Sequence, residues 1–290
     1  MFTRSILTGF STLVTGMIIS GTEVLANPQT GQPTEWQLGF QRAVTPVMES
    51  ISTLHNYVLI LITLISLFVA GLLIYIVVRF NATSNPTPSN TTHHTVIEVL
   101  WTAIPILILV VMAIPSFKLL YFQDTVPEQV DVNIKVTAYQ WFWTYEYTDD
   151  DFEFDAFKLE PDEAEEAGEP YLLATDTKVV VPVGKVVRVQ ITAADVIHAW
   201  AVPALGVKMD AYPGRLNELW FQVDEPGVFY GQCSELCGQG HAFMPIAVEA
   251  MSQSDYEVWL SEAREEYART DNGIKIADSS MSATQASHSE

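Results

Sequence analysis

Tyr57 to Val78 run for 22 residues without a single formal charge. At about 1.5 Å per residue, a helix over this run is roughly 33 Å long, enough to cross a bilayer. Arg79 ends it. A second apolar run, Val99 to Lys118, continues into Leu119-Leu120-Tyr121-Phe122. Pro105 and Pro115 sit inside it. Membrane helices tolerate proline better than soluble ones, so the span stands and a bend is expected. Between the runs, residues 81–90 hold Pro86, Pro88 and several Asn and Ser, which is loop chemistry. The two runs therefore predict a transmembrane hairpin over residues 54–122, with helices at about 55–79 and 96–120. Both ends of a hairpin lie on one side of the membrane.

Residues 1–26 read as a secretory signal: Arg4, a mostly apolar Ile6 to Ile19, and the small-residue cleavage pattern Val24-Leu25-Ala26. A retained anchor is the alternative. Residues 27–53, with Pro28, Pro33 and Pro46, then form an N-terminal periplasmic segment, read as a loop or short surface stretch. With an exported leader, the loop bearing Arg79 is cytoplasmic, in agreement with the positive-inside rule.

Charge is segregated along the chain. The formal net charge is −21, yet the first 120 residues are neutral, with Glu23, Glu35, Glu49 and Glu98 balancing Arg4, Arg42, Arg79 and Lys118. The whole excess is in the back half. An acidic surface excludes nucleic acid as a partner and fits either a basic partner or simple solubility.

Beyond Gln123 the apolar period changes to two. Val132, Ile134 and Val136 alternate with polar neighbours, as do Val187, Val189 and Ile191, then Phe221 and Val223, then Ile246 and Val248. Such runs are half-buried strands. Pro182-Val183-Gly184, Pro213-Gly214 and Pro226-Gly227 supply turns, and the set predicts a β-sandwich over residues 124–252. The acidic stretch 149–169 reads as a solvated excursion from the sheet. Residues 253–290 read as a surface helix, Ser254 to Tyr267 with Tyr256, Trp259 and Leu260 on one face, followed by a disordered tail. There is no internal repeat.

The chemistry is concentrated in Cys233-Ser-Glu-Leu-Cys237-Gly-Gln-Gly-His241-Ala-Phe-Met244, which holds the only two cysteines. Two thiols, an imidazole and a thioether suit copper, and a weakly placed Met ligand marks electron-transfer sites. Two close thiolates can share two metals. Two Cys and two His also suit zinc, which has no use for Met244. In an oxidising compartment the plain reading of the cysteines is a disulfide, but that needs neither His241 nor Met244. His198, in Asp195-Val-Ile-His198-Ala-Trp200, is the other histidine of the sandwich region apart from the tail residue His288. One histidine after a strand, with the other ligands in a single late loop, is the layout of a cupredoxin.

These two segments, together with Gln140-Trp141-Phe142-Trp143-Thr144-Tyr145-Glu146-Tyr147, resemble subunit II of cytochrome c oxidase, in its proteobacterial form. The resemblance runs from the first span to about Trp259. It implies a membrane-anchored all-β protein in the bacterial inner membrane, a two-helix hairpin followed by a cupredoxin-like domain in the periplasm. It implies two copper ions in a binuclear copper A centre. Cys233 and Cys237 would bridge both. His198 and Met244 would complete one copper, and His241 with the Glu235 backbone carbonyl the other. The Glu235 side chain would bind a magnesium ion shared with subunit I. The implied partners are subunits I and III, cytochrome c and the bilayer.

By the same resemblance, Trp141 is the indole through which cytochrome c passes its electron. Glu146, Asp176 and Asp195 match docking acids, with Asp151, Glu153 or Asp155 as a looser addition. Trp143 reads as core packing. Glu98 has two compatible readings. It can cap the second span through Thr95-Val-Ile-Glu98, and it can stand at the mouth of a proton path into subunit I. The implied activity is uptake of electrons from cytochrome c and delivery to haem in subunit I, where oxygen is reduced and protons are pumped. The chain has no Cys-x-x-Cys-His haem motif, so oxygen chemistry belongs to subunit I. The rivals are a quinol oxidase subunit, which lacks the copper ligands, a membrane-tethered copper carrier, and the copper domain of nitrous oxide reductase, which has no hairpin.

Overall fold

The computed structural model describes residues 30–267; the expected leader and the tail beyond residue 267 lie outside it. Two long helices come first. Helix α1 spans Pro46–Arg79 and α2 spans Thr95–Asp124. Both are long and apolar enough to cross a membrane, and neither buries its apolar window inside the protein. Helix α1 starts ahead of the expected span. Its cap is Thr45, whose hydroxyl accepts from the Met48 N–H (3.0 Å), and Pro46 follows at the first helical position. Polarity alone made this turn look like loop; the Thr-Pro pair is a helix start. At α2 the cap is His94, not Thr95. Glu98 accepts from the His94 backbone N–H (3.1 Å), so it satisfies a free donor at the helix start from one position further along than a capping box requires. Pro105 and Pro115 both lie within the one helix.

The remainder is a β domain. A five-stranded sheet has the order β4-β3-β2-β6-β9, from Phe152–Ala156, Phe142–Tyr147, Val132–Tyr139, Val186–Ala193 and Asn217–Gln222. A four-stranded sheet has the order β1-β10-β11-β5, from Thr30–Gly31, Gly227–Gln232, Pro245–Met251 and Val179–Pro182. The hairpin β7 (His198–Val202) and β8 (Val207–Ala211) forms a third, two-stranded ribbon. Strands β2, β3 and β6 alternate buried and half-buried along their whole length, as the period of two requires. The inward residues, among them Trp143, Tyr145, Tyr147, Ile134, Val189 and Phe221, form one core. Tyr147 links the sheets, its hydroxyl donating to the Val180 carbonyl (2.7 Å) and accepting from the Val180 N–H (2.9 Å). This is the cupredoxin-like sandwich behind a membrane hairpin.

The acidic stretch 149–169 is not a solvated excursion. It contains β4, an edge strand paired antiparallel with β3, whose Phe152 and Phe154 are buried while Glu153 and Asp155 face out. Phe152, Phe154 and Ala156 carry the strand period that the acids obscure. A short helix α3, Pro161–Ala167, follows. Helix α4, Gln253–Glu266, is capped by Ser252 and packs Tyr256, Trp259 and Leu260 on the core.

The helices are fastened to the sandwich at two points. Thr45, fully buried, donates to the Leu205 carbonyl (2.8 Å) while capping α1. Beside it, Gly206 adopts a left-handed φ of 72°, and a Cβ there would lie 2.9 Å from the Met48 Cα, so only glycine satisfies both the turn and the contact. At the other helix, the Phe122 carbonyl accepts from Trp220 Nε1 (3.3 Å) and the two rings meet edge to face.

Candidate metal centre

The ligand loop, residues 233–244, joins the antiparallel neighbours β10 and β11, so its two ends are held side by side. His198 opens β7 and reaches the same spot from the ribbon. The ligand atoms of His198, Cys233 and Cys237 all lie within 4.8 Å of one another, and all three residues are buried. The two thiols are free, with sulfurs 3.8 Å apart. Met244 Sδ lies 3.6 Å from Cys237 Sγ, and His241 Nδ1 lies 3.6 Å from the same sulfur. The Glu235 carbonyl is 3.3 Å from Cys233 Sγ, while the Glu235 residue as a whole is exposed. All six residues that the sequence singled out for copper thus converge.

Proton placement follows from the neighbours. His198 Nε2 stands 2.9 Å from Asp195 Oδ1, and its Nδ1 faces Cys233 Sγ (3.9 Å). The Asp195 carboxylate can only accept, so Nε2 carries a hydrogen toward it; Nδ1 faces the sulfurs, open to a metal or, without one, to a second hydrogen shared with Cys233. Asp195 also accepts from the Val196 N–H (2.6 Å) and the Gln140 N–H (2.7 Å). Partial burial would raise its carboxyl, but these hydrogen bonds, from His198 first, lower it instead. Burial works against ionising Cys233 too, yet the hydrogen bonding led by His198 brings that thiol down to about 6. Burial and then the adjacent Cys233 sulfur push Cys237 up to about 12. Between those two values the metal-free pair holds one proton and one negative charge.

Trp141 lies in the turn between β2 and β3, half-buried, with its indole against the ligand loop. Its Nε1 donates to the Cys237 carbonyl (3.3 Å), which also accepts from Gln140 Nε2 (2.7 Å). Gly240 lets the ring lie flat there: a Cβ at that position would fall 2.3 Å from Trp141 Cδ2. Trp143 points the other way into the core and donates to the Met244 carbonyl (3.1 Å). Gln140 is the residue that the sequence reading missed. It grips the loop through Cys237 and the histidine side through Asp195.

The other expected residues are more scattered. Glu146 faces outward on β3 and is paired with Lys135 (2.9 Å). Asp176 accepts from the Phe157 and Thr177 N–H groups (2.8 and 2.7 Å), holding a turn beside β4. Of the three acids expected at a docking face, Asp195 contacts an expected copper ligand, His198. Glu98 is at the far end of α2 from the sandwich and does not belong to this cluster.

Comparison with known proteins decides the family. Residues 132–251 match the family described as cytochrome C oxidase subunit II, periplasmic domain, and residues 33–119 match its transmembrane domain. This chain belongs to the cytochrome c oxidase subunit II family. The probable cytochrome c oxidase subunit 2 of Rickettsia bellii (strain RML369-C) is 47% identical over 248 residues, covering 85% of this chain and 91% of that protein. Cytochrome c oxidase subunit 2 of Cereibacter sphaeroides is 43% identical over 279 residues, covering 89% and 91%. The crystal structure of the periplasmic domain of subunit II of cytochrome oxidase from Bradyrhizobium japonicum is 50% identical, covers 50% of this chain and 100% of that chain, and gives a TM-score of 0.46. A subunit II is a membrane-anchored component of an oxidoreductase complex and associates with its other subunits.

The family implies copper, and the donor set fits. Two thiols, two imidazoles, a thioether and a backbone carbonyl surround one buried spot, and the Asp195 carboxylate already holds the far nitrogen of His198. A tetrahedral zinc site would leave the buried Met244 sulfur without a purpose.

Proposed function

We propose that this chain takes electrons from cytochrome c at a binuclear copper A site and delivers them to haem in subunit I, where oxygen is reduced to water and protons are pumped. The observation that carries the reading is the convergence of His198, Cys233 and Cys237 within 4.8 Å, with Met244 and His241 at the same sulfur. Cys233 and Cys237 would bridge two copper ions, with His198 and Met244 on one and His241 and the Glu235 carbonyl on the other. Once bound, such a pair shares one electron between two metals and keeps nearly the same geometry in both redox states.

The protein supplies the rest. Asp195 fixes the His198 ring, and burial of Cys233, Cys237 and Met244 beneath an otherwise largely exposed loop keeps water from the sulfurs. Trp141 contacts the carbonyl of a bridging residue and is half-exposed, which suits an indole that accepts the electron from a docked haem protein. The acidic surface, with Glu146, Asp176 and Asp195 in it, suits a lysine-rich cytochrome and would act mainly on the association rate. The exposed Glu235 side chain is available for a magnesium ion shared with subunit I, and subunit III completes the assembly. Glu98, near the membrane end opposite the sandwich, serves as the mouth of a proton path while holding the α2 cap. The hairpin then sits in the bacterial inner membrane, with the copper domain in the periplasm.

The test is electron paramagnetic resonance of the copper-loaded soluble fragment, residues 124–290. One electron shared by two equivalent copper nuclei gives a seven-line hyperfine pattern. A four-line mononuclear signal, or zinc by elemental analysis, overturns the proposal.

A further inference from the structure

We infer that the cleft between the two membrane helices, at their sandwich end, binds the headgroup of an amine-bearing zwitterionic phospholipid of the phosphatidylethanolamine kind. A cavity of about 440 Å³ opens there, lined by Glu49, Leu54 and Tyr57 of α1 and Pro115, Lys118 and Phe122 of α2. That volume lies within the range of small-molecule sites. Tyr57 opens the charge-free run of one helix and Lys118 closes the apolar run of the other, so the cleft straddles the boundary between hydrocarbon and headgroups.

Its two charged groups, Glu49 and Lys118, are of opposite sign, and Ser50 and Thr53 add neutral hydroxyls beside them. Lys118 has no ion-pair partner among the described residues. Glu49 lies on a net acidic rim: after burial, it is Glu49 and then Glu225 that raise the Asp224 carboxyl, and Glu225 is itself paired with Arg42 (2.6 Å). The rim near Glu49 therefore favours a cation, and Lys118 favours an anion. A phosphate esterified to a short primary amine presents both charges on one group. Phosphate on Lys118 and ammonium on Glu49 satisfy the pair, and Leu54, Pro115 and Phe122 offer an apolar wall to the glycerol and first acyl carbons. A choline headgroup has no N–H to give Glu49, so the cleft discriminates against it. Free phosphate would leave both the acid and the apolar wall unused.

The inference is tested on the intact oxidase complex. It is delipidated in detergent, then exchanged into nanodiscs of dioleoyl phosphatidylcholine containing dioleoyl phosphatidylethanolamine, and the retained lipid is read by native mass spectrometry. The ethanolamine lipid is expected to stay bound under conditions that strip the choline lipid. Glu49→Gln and Lys118→Gln are each expected to weaken retention roughly tenfold or more, the size of a lost hydrogen bond to a charged group. Both positions are exposed, and an unchanged copper spectrum reports an intact fold. Equal retention of the two lipids, or retention unchanged in both variants, overturns the inference. So does a Lys118 amine shielded from acetylation in the delipidated complex, since a neighbouring subunit then fills the cleft.

Discussion

Gly240→Ala tests whether the Trp141 contact is the electron's way in, because it moves the indole without removing it. The new Cβ would lie 2.3, 2.5 and 2.7 Å from Trp141 Cδ2, Cγ and Cε3. Carbon atoms rest at about 3.5–4.0 Å, so the ring must retreat by roughly 1 Å or more. The 3.3 Å contact of Nε1 with the Cys237 carbonyl then passes beyond hydrogen-bond range. Misplacing a reacting group by about 1 Å costs on the order of a hundredfold in favourable cases, so a slowing of roughly ten- to a hundredfold is expected. The assay is stopped-flow reduction of the oxidase by cytochrome c, with copper absorption followed in the same sample. The three nearest atoms all belong to the indole, so the copper band should survive. A variant with the native band and a native rate refutes the argument that this contact carries the electron.

Further outcomes are expected. Asp195→Asn keeps the shape but removes the anionic acceptor from His198; copper affinity, measured by competition with a chelator, should fall about 10–100-fold, as for other lost second-shell partners. Trp143→Phe leaves the buried Met244 carbonyl without its donor and should cost about 1–3 kcal/mol in a urea titration of the metal-free protein, with little change in electron uptake. Metal-free protein should show one thiolate by ultraviolet absorbance as pH rises through about 6 and the second only toward about 12. The sign for stability follows: Cys233 binds its proton less readily folded than unfolded (9.0), so stability rises from pH 6 to 9, whereas the raised Cys237 removes it from 9 to 12. Two thiols titrating together near 9 would contradict this.

The hairpin and the sandwich were legible because each follows a local rule, charge-free length and a period of two; the soft donors of 233–244 stand out because they share one loop, whereas His198 lies 35 positions from Cys233 and the Glu235 carbonyl is implied by the resemblance alone. Strand β4 was harder to see. Its outward acids, Glu153 and Asp155, dominate the composition of a stretch whose buried half is Phe152, Phe154 and Ala156. The first turns of α1 were read as loop because a helix docked on protein there needs no apolar run, only a cap. Gln140 opens the aromatic segment, yet its role could not be read from the sequence. Its worth lies in contacts with Asp195 and Cys237, 55 and 97 positions away, and no spacing rule joins residues that only the fold makes neighbours.

Thr45 ends one object and begins another, since the same hydroxyl that starts the membrane helix is hydrogen-bonded to the sandwich, and Phe122 clamps the second helix beside it. The domain therefore stands on two legs, each fastened to it by a hydrogen bond. Its height above the lipid and its heading are set by side chains, not by the slack of a tether. Lengthening the chain at residues 44–46 by even one flexible turn would leave every ligand intact and still point the sulfurs in the wrong direction.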